Sequence, residues 1–176
     1  MSWSRGLRLV MIGLLAGSGF LAGCGFRPLY GEANSARTSA TGELASIDVA
    51  PINDRVGQNV RNHLIDHLTP KGKTVGTRYR LKIQLTPSQE GIALARDEAA
   101  TRINYQLRGK FVLIELSTGR EIFQGSARSI AVYNVVSADY STLTAEADAE
   151  RRAAREISDE IKTRLAVFFS RRSSDN

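Results

Sequence analysis

Polar and apolar residues alternate along three segments of the chain. The alternation is strict over residues 78–85 and continues over about 102–116 and about 121–136. Because successive side chains of a strand point to opposite faces of a sheet, each segment is predicted to be a strand with one buried and one solvated face. An apolar segment at residues 44–52 predicts a further strand that precedes these three.

The segment after the first predicted strand carries apolar residues at helical spacing. Asn53 or Asp54 can cap a helix there, and Pro70 and Gly72 are predicted to end it. The apolar residues recur every four positions, as expected for one face of a helix. They are Val56, Val60, Leu64 and Leu68.

A longer helix is predicted near the C-terminus, from a cap at Ser141 or Thr142 to about Phe169. Acidic residues crowd its start and basic residues its end, which suits the helix dipole. Its apolar stripe consists of Ala154, Ile157, Ile161, Leu165 and Phe168. Three arginines lie among acids at helical spacing, which predicts an exposed face with ion pairs. They are Arg151, Arg152 and Arg155.

Two turns are predicted between the alternating segments. One runs from Pro87 to Gly91, and the other, residues 117–120, is tight enough to join its flanking strands as a hairpin. The order is therefore strand, helix, three strands, helix. The economical α+β packing places both helices on one face of a four-stranded, mostly antiparallel sheet and leaves the other face polar.

Composition fits a single globular domain with a soluble surface. The chain has 176 residues, of which 42% are hydrophobic and 24% charged. The formal net charge of +6 favours anionic partners such as phosphates, acidic lipids or nucleic acid. Many soluble domains carry such a charge without using it, so the charge alone does not identify a function.

The first residues form a different kind of segment. Arg5 and Arg8 precede an uncharged, mostly apolar stretch, residues 9–21, which is shorter than the ~20 residues that span a bilayer as a helix. A positive start, a short apolar middle and small residues at the end are typical of a secretory signal. Export argues against a nucleic-acid partner.

The signal ends in Leu21-Ala22-Gly23-Cys24, which resembles the lipobox of bacterial lipoproteins. The resemblance implies cleavage after Gly23 and lipidation of Cys24, with acylation of the new amino terminus. Two acyl signals suffice for stable anchoring. The alternative is an unmodified cysteine, but Cys24 is the only cysteine, and a lone thiol is unfavourable in an oxidising compartment.

These features predict four parts of the chain. They are a signal peptide (1–23), a lipidated N-terminus with a flexible tether (24–42), one α+β domain (43–170) and a polar tail (171–176). Gly25 stands where enterobacterial lipoproteins of the inner membrane carry aspartate. By that resemblance the protein is expected at the periplasmic side of the outer membrane.

Residues 24–31, Cys-Gly-Phe-Arg-Pro-Leu-Tyr-Gly, resemble the start of mature LptE, the lipopolysaccharide-assembly lipoprotein family, in its alphaproteobacterial form. This chain departs from the enterobacterial pattern of the family at Pro28 and Tyr30, so residue roles are not transferred from that branch. The resemblance implies a plug inside the LptD β-barrel and a non-catalytic role in lipopolysaccharide insertion, with no cofactor besides the lipid on Cys24. The alternative is a periplasm-facing scaffold lipoprotein that contacts the cell wall or another envelope assembly.

Basic residues share the solvated face of two predicted strands, which form a basic surface if the strands are neighbours. They are Arg78, Arg80, Lys82, Arg102, Arg108 and Lys110. Such a surface could hold the phosphates and acidic sugars of lipopolysaccharide, because arginine pairs bidentately with phosphate oxygens. The alternative is a solvated strand face whose charges prevent edge aggregation.

Other constellations point only weakly to chemistry. His63 and His67, the only histidines, lie with Asp66 at the spacing of a helical metal pair. Histidine near a helix C-terminus is favourable in itself, however, so no metal is predicted. No serine-base-acid set or glycine-rich phosphate loop stands out, which favours a binding protein over an enzyme. The three arginines of the long helix could instead contact the wall of a barrel.

Overall fold

The computed structural model describes residues 41–69, 76–93, 101–135 and 139–174. After a short helical segment at 41–45, the elements follow in the predicted order. They are β1 (Ile47–Val49), α1 (Asp54–Leu68), β2 (Tyr79–Ala93), β3 (Thr101–Glu115), β4 (Glu121–Val135) and α2 (Asp139–Ser174). The predicted α+β class is therefore confirmed.

The four strands form one mixed sheet in the order β1-β2-β3-β4. β1 is parallel to β2, whereas β2 with β3 and β3 with β4 are antiparallel. The turn between β3 and β4 contains Gly119 at φ +68°, where glycine adopts the left-handed conformation without strain. The sheet is thus mostly antiparallel, with the hairpin that the sequence predicts.

The predicted turn from Pro87 to Gly91 is wrong, because β2 continues through both residues in unbroken register with β3. The backbone explains how proline fits. The carbonyl of Leu81 accepts the Ala50 N–H on the outer side of β2 (3.0 Å). Alternate residues of an antiparallel strand point their hydrogen-bonding groups to the same side, so the nitrogen of Pro87 also faces outward. Proline therefore costs no bond to β3.

Two other element ends differ from the prediction. β1 is limited to three residues, because Ser46 closes a turn onto the Glu43 carbonyl and Pro51 has no N–H to extend the ladder. α2 begins before Ser141 and continues to Ser174. Asn53 does occupy the N-cap position of α1, although its side chain makes no capping hydrogen bond.

The core lies between the sheet and the two helices. α2 packs on β3, β4 and α1, and the buried Ser158 hydroxyl lies between the two helices, 2.7 Å from the Ala154 carbonyl and 3.2 Å from the Val60 carbonyl. α2 approaches β3 closely at Gly109, where a Cβ atom would lie 3.2 Å from Ile157 Cδ1. The largest fully buried side chains include Tyr105, Phe111, Leu64, Leu81, Leu107, Leu113, Ile157, Ile161 and Leu165.

The predicted stripe of α2 is confirmed except at its last position. Phe169, rather than Phe168, is the buried residue (2% exposed), and its ring packs against Tyr79 at 5.2 Å. Phe168 is partly buried and stacks on Phe123 with ring centres 4.7 Å apart. Both phenylalanines hold the C-terminal part of α2 against the start of the sheet.

Candidate binding face of the sheet

The face of the sheet opposite the helices is formed by the even-numbered residues of β2, β3 and β4, and we call it the open face. The odd-numbered residues point to the core, as the burial of Leu107, Ala127 and Ala131 shows. All six even-numbered side chains from Gln124 to Asn134 are exposed. The sequence prediction of one buried and one solvated face is confirmed, although the solvated face also carries apolar residues such as Ile130 and Val132.

Two of the predicted basic residues already have acidic partners. Arg78 precedes β2, lies 2.6 Å from a Glu43 carboxylate oxygen and contacts the ring of Tyr79 at 5.6 Å. The hydrogen bond to Glu43 raises the pKa of Arg78. Arg80 lies on the open face, but its Nε donates to an Asp48 carboxylate oxygen at 3.0 Å. These two cations are therefore partly neutralised.

Three predicted residues come together near the middle of the open face. Lys110 lies opposite Gln84 and Arg108 opposite Thr86, while Lys82 is diagonal to Lys110. Cross-strand diagonal neighbours are about 7–8 Å apart at their backbones. None of the three cations has an ion pair within the described part of the chain. Arg102 is separate, since it lies opposite Ile92, roughly 20 Å from Arg108 along β3 at ~3.3 Å per residue.

The sequence prediction missed Arg128. It lies on β4 directly opposite Arg108, so two like charges face each other across neighbouring strands. Its even position in the alternating segment already marked it as solvated, but its proximity to Arg108 depends on register, which the pattern does not reveal. We call Lys82, Arg108, Lys110 and Arg128 the basic cluster.

A shallow depression of about 540 Å³ lies beside the basic cluster on the open face. The open-face residues that line it are Lys82, Gln84, Lys110, Val112, Gln124 and Ser126. Ammonium, amide and hydroxyl groups are hydrogen-bond donors to phosphate and sugar oxygens. This side of the cluster therefore combines donors for anionic or hydroxyl groups with apolar surface from Ile83, Phe111 and Val112.

Apolar side chains lie on the same face, toward the end at which β4 leads into α2. Ile92, Ile130 and Val132 are 40%, 43% and 39% exposed. Ile130 directly follows Arg128 along the open face, so cationic and apolar surfaces adjoin. A ligand with an anionic part and an apolar part matches this arrangement.

His67 of α1 and two of the arginines of α2 have acidic neighbours in the structure. His67 Nδ1 lies 2.8 Å from an Asp159 carboxylate oxygen, and the His63 and His67 rings are 6.4 Å apart. The described residues contain no group of three or more His, Cys, Asp or Glu that could hold a metal ion. Arg152 pairs with Asp148 at 2.8 Å, and its hydrogen bond lowers the pKa of that carboxyl. Arg151 also contacts Asp148 (3.4 Å), so part of the predicted ion-paired face is confirmed.

The predicted lipidation site, Cys24, lies outside the described residues, as do the signal peptide and most of the tether. Among the helices that the structure describes, none has an apolar stretch long enough to cross a bilayer.

The model of a family described as LptE, lipopolysaccharide-assembly, matches residues 44–165. No curated protein matches the chain at a significant level. Among solved structures, one from Caulobacter crescentus CB15, described as a lipoprotein, is 22% identical with a TM-score of 0.65, covering 76% of this chain and 98% of that one. A minor lipoprotein from Acinetobacter baumannii is 15% identical with a TM-score of 0.51, covering 69% and 90%. At these identities the two structures establish a shared fold.

Proposed function

The chain belongs to the LptE family of lipopolysaccharide-assembly proteins, and from that premise we propose that it is an outer-membrane lipoprotein that assists lipopolysaccharide insertion. In this proposal Cys24 carries the lipid anchor on the periplasmic side, and the domain forms a plug-type complex with an LptD β-barrel. The observation that carries the proposal is the family match, which extends from the segment before β1 through most of α2. The role is assembly without catalysis.

We further propose that the open face contacts the anionic part of lipopolysaccharide at the basic cluster. Four cations there lack ion pairs within the described ranges, and two of them, Arg108 and Arg128, repel each other until an anion lies between them. Guanidinium groups bind phosphate bidentately, which favours a phosphorylated head group. The exposed side chains of Ile130 and Val132 support an amphipathic ligand on the same face.

Co-purification from native membranes tests the complex. Tagged wild-type protein is extracted gently beside Cys24→Ala, and the partners are identified and quantified. A stoichiometric LptD-type barrel with the wild type is the expected result. If the wild type is lipidated and located in the outer membrane but no barrel accompanies it, the plug proposal is wrong. Cell-wall or soluble partners would instead identify a scaffold lipoprotein.

Titration with purified lipopolysaccharide tests the binding face. Arg108→Gln and Arg128→Gln in the full-length protein are each expected to weaken binding about tenfold, the equivalent of one charge-assisted hydrogen bond. Arg80→Gln is the matched control, because Arg80 lies on the same face but is paired with Asp48. An equal loss with Arg80→Gln would show general charge attraction and contradict binding at the cluster.

A further inference from the structure

The outer edge of β4 has no partner strand among the residues that the structure describes. The direction of its hydrogen-bonding groups follows from register. The backbone N–H and carbonyl of Leu81 point outward from β2, toward β1. The backbone groups of the next residue, Lys82, therefore point to β3 and hydrogen-bond with Val112. The backbone groups of the odd residues of β3 must then bond to β4. This leaves the backbone N–H and carbonyl groups of the even residues of β4 pointing away from the sheet. The hydrogen bond from Arg152 to the Val132 carbonyl (3.0 Å) agrees with this assignment.

The two edges of the sheet are treated differently by the sequence. On β2, β1 covers Tyr79 to Leu81, and Pro87 removes an outward N–H farther along. β4 has fifteen residues, Glu121–Val135, without a proline or a lysine. Long unpaired edges bind other strands unless such residues block them. The chain therefore covers or interrupts the β2 edge at these positions, whereas the only charged residue among the outward-facing residues of β4 from Gln124 to Asn134 is Arg128, which an acidic residue of an added strand can pair.

The side chains of the β4 edge indicate what kind of strand it would accept. Arg128 has no ion pair in the described part of the molecule, and Ile130 and Val132 are exposed beside it. Directly opposed cross-strand pairs favour opposite charge and apolar contact. A second β4 could not provide the acid, since the even residues from Gln124 to Asn134 include no carboxylate. A complementary strand therefore carries an acidic residue that β4 itself does not offer.

We propose that the outer edge of β4 binds an extended segment of another polypeptide, with a carboxylate facing Arg128 and apolar side chains against Ile130 and Val132. The backbone N–H and carbonyl groups of Ser126, Arg128 and Ile130 form the ladder. The Val132 carbonyl can also join the ladder while it accepts the hydrogen bond from Arg152, because a carbonyl oxygen has two lone pairs. This interaction adds the backbone edge of β4 to the open face, and its side-chain contacts share Arg128, Ile130 and Val132 with the proposed lipopolysaccharide contact.

A synthetic peptide tests the proposal directly. The probe is an acetylated, amidated nonapeptide of alternating valine and threonine with one central glutamate, added to the full-length lipoprotein in detergent. We expect saturable binding and slowed amide exchange at Ser126, Arg128 and Ile130. Ala127 and Ser129 exchange slowly with or without peptide, because their N–H groups already bond to β3. Peptide with N-methylated edge-facing amides is the control, and equal binding by it overturns the proposal.

Charge reversal tests whether a carboxylate of the partner faces Arg128. The Arg128→Glu variant is expected to bind the glutamate peptide about tenfold more weakly than the wild type does. It should bind a version with lysine in place of glutamate about tenfold more tightly than the wild type does. Binding of both peptides that is unaffected by the reversal would contradict the assigned position of the carboxylate. Self-association of the wild type that protects the same three amides would identify a second copy as the occupant and overturn the assignment.

A proline variant separates this proposal from the lipopolysaccharide role. Ile130→Pro removes one outward N–H without a bond to β3, as Pro87 does on β2, and Ile130→Thr is its control. Relative to Ile130→Thr, the proline variant should bind the peptide about tenfold more weakly, whereas the two variants should bind lipopolysaccharide equally, because both lack the Ile130 side chain. A folded proline variant that binds peptide like the wild type rejects strand addition. If Ile130→Pro does not fold, the N-methylated peptide and the Arg128→Glu variant still test strand addition at the β4 edge.

Discussion

Arg108 and Arg128 face each other across β3 and β4, and we expect this pair to lower stability in the absence of an anion. Replacing one arginine by glutamine should raise the free energy of unfolding by roughly 0.2–1 kcal/mol, because like charges directly opposite are destabilising. Urea denaturation at low salt measures the gain, which should shrink at high salt.

The same substitutions are expected to weaken lipopolysaccharide binding, so stability and binding should change in opposite directions. Arg80→Gln is again the comparison, because it removes the ion pair with Asp48 and should leave stability unchanged or about 1 kcal/mol lower. A loss of stability on replacing Arg108 or Arg128 would show that these arginines support the fold and would remove the argument for an anion between them.

Gly125 is required by the ring of Phe111. A Cβ atom at this position would lie 2.6 Å from Phe111 Cζ, which is closer than packed atoms approach. Gly125→Ala should therefore lower the free energy of unfolding by about 1–3 kcal/mol through overpacking. Gly42→Ala is the control, since nothing lies within 4 Å of its added atom. Equal denaturation midpoints for the two variants would show that Phe111 has room to move.

At the scale of the strand, the outward direction of Pro87 leads to a paired test on β2. Pro87→Thr should change the free energy of unfolding little, because no bond to β3 depends on that position. Thr86→Pro should destabilise by about 2 kcal/mol or more, since its N–H bonds to β3 and the freed carbonyl partner loses its donor. Denaturant unfolding of both variants compares the two positions. Equal effects would contradict the assigned hydrogen-bonding directions of β2.

Hydrophobic periodicity predicted the type of each element from β1 to α2, because it reports which side of an element is buried, but it placed Leu44 in a strand although residues 41–45 are helical. Element ends were less predictable. Pro87 would end β2 only if its nitrogen faced β3, and that direction is set by the register of β2 with β3, which the pattern of a single strand does not reveal. Likewise, Phe168 and Phe169 are equally apolar, and only packing against Tyr79 selects Phe169 for the core.

The candidate site was partly predictable for the same reason. Alternation placed Lys82, Arg108 and Lys110 on the solvated face, and the structure confirms that placement. It did not reveal that Arg78 and Arg80 have acidic partners on other elements, Glu43 and Asp48. Long-range pairing and register decide which cations remain without a partner, and neither can be derived from one strand at a time.

At the scale of the whole described domain, buried tyrosines predict a loss of stability in alkaline solution. Burial, with smaller contributions from Glu150 and Glu146, raises the pKa of Tyr105 from 10.0 to about 12. Between these values the unfolded chain loses the tyrosine proton while the folded chain keeps it, so stability falls as pH rises through this range. Burial also raises the pKa of Tyr79 and Tyr133, which adds to the loss.

Tyr105→Phe should make the decline in stability above pH 10 shallower. At neutral pH it should change the free energy of unfolding by about 1 kcal/mol or less, because the buried hydroxyl has no hydrogen-bond partner among the described residues. Thermal unfolding across pH 7–12 measures both effects. Tyr140→Phe, at a side chain that is 83% exposed, is the control, and an identical profile for both variants would contradict the role of burial.

The connectivity of the sheet also has a consequence for folding kinetics. β2, β3 and β4 pair with their neighbours in sequence, whereas β1 reaches β2 only after the whole of α1 has been placed. Pairings that close short loops form sooner than distant ones. The three long strands should therefore associate first, and β1 should dock onto their edge late, together with α1 and α2. Until then the start of the outer edge of β2, Tyr79 to Leu81, is also open to other nascent chains, and Pro87 limits pairing along the part that β1 never covers.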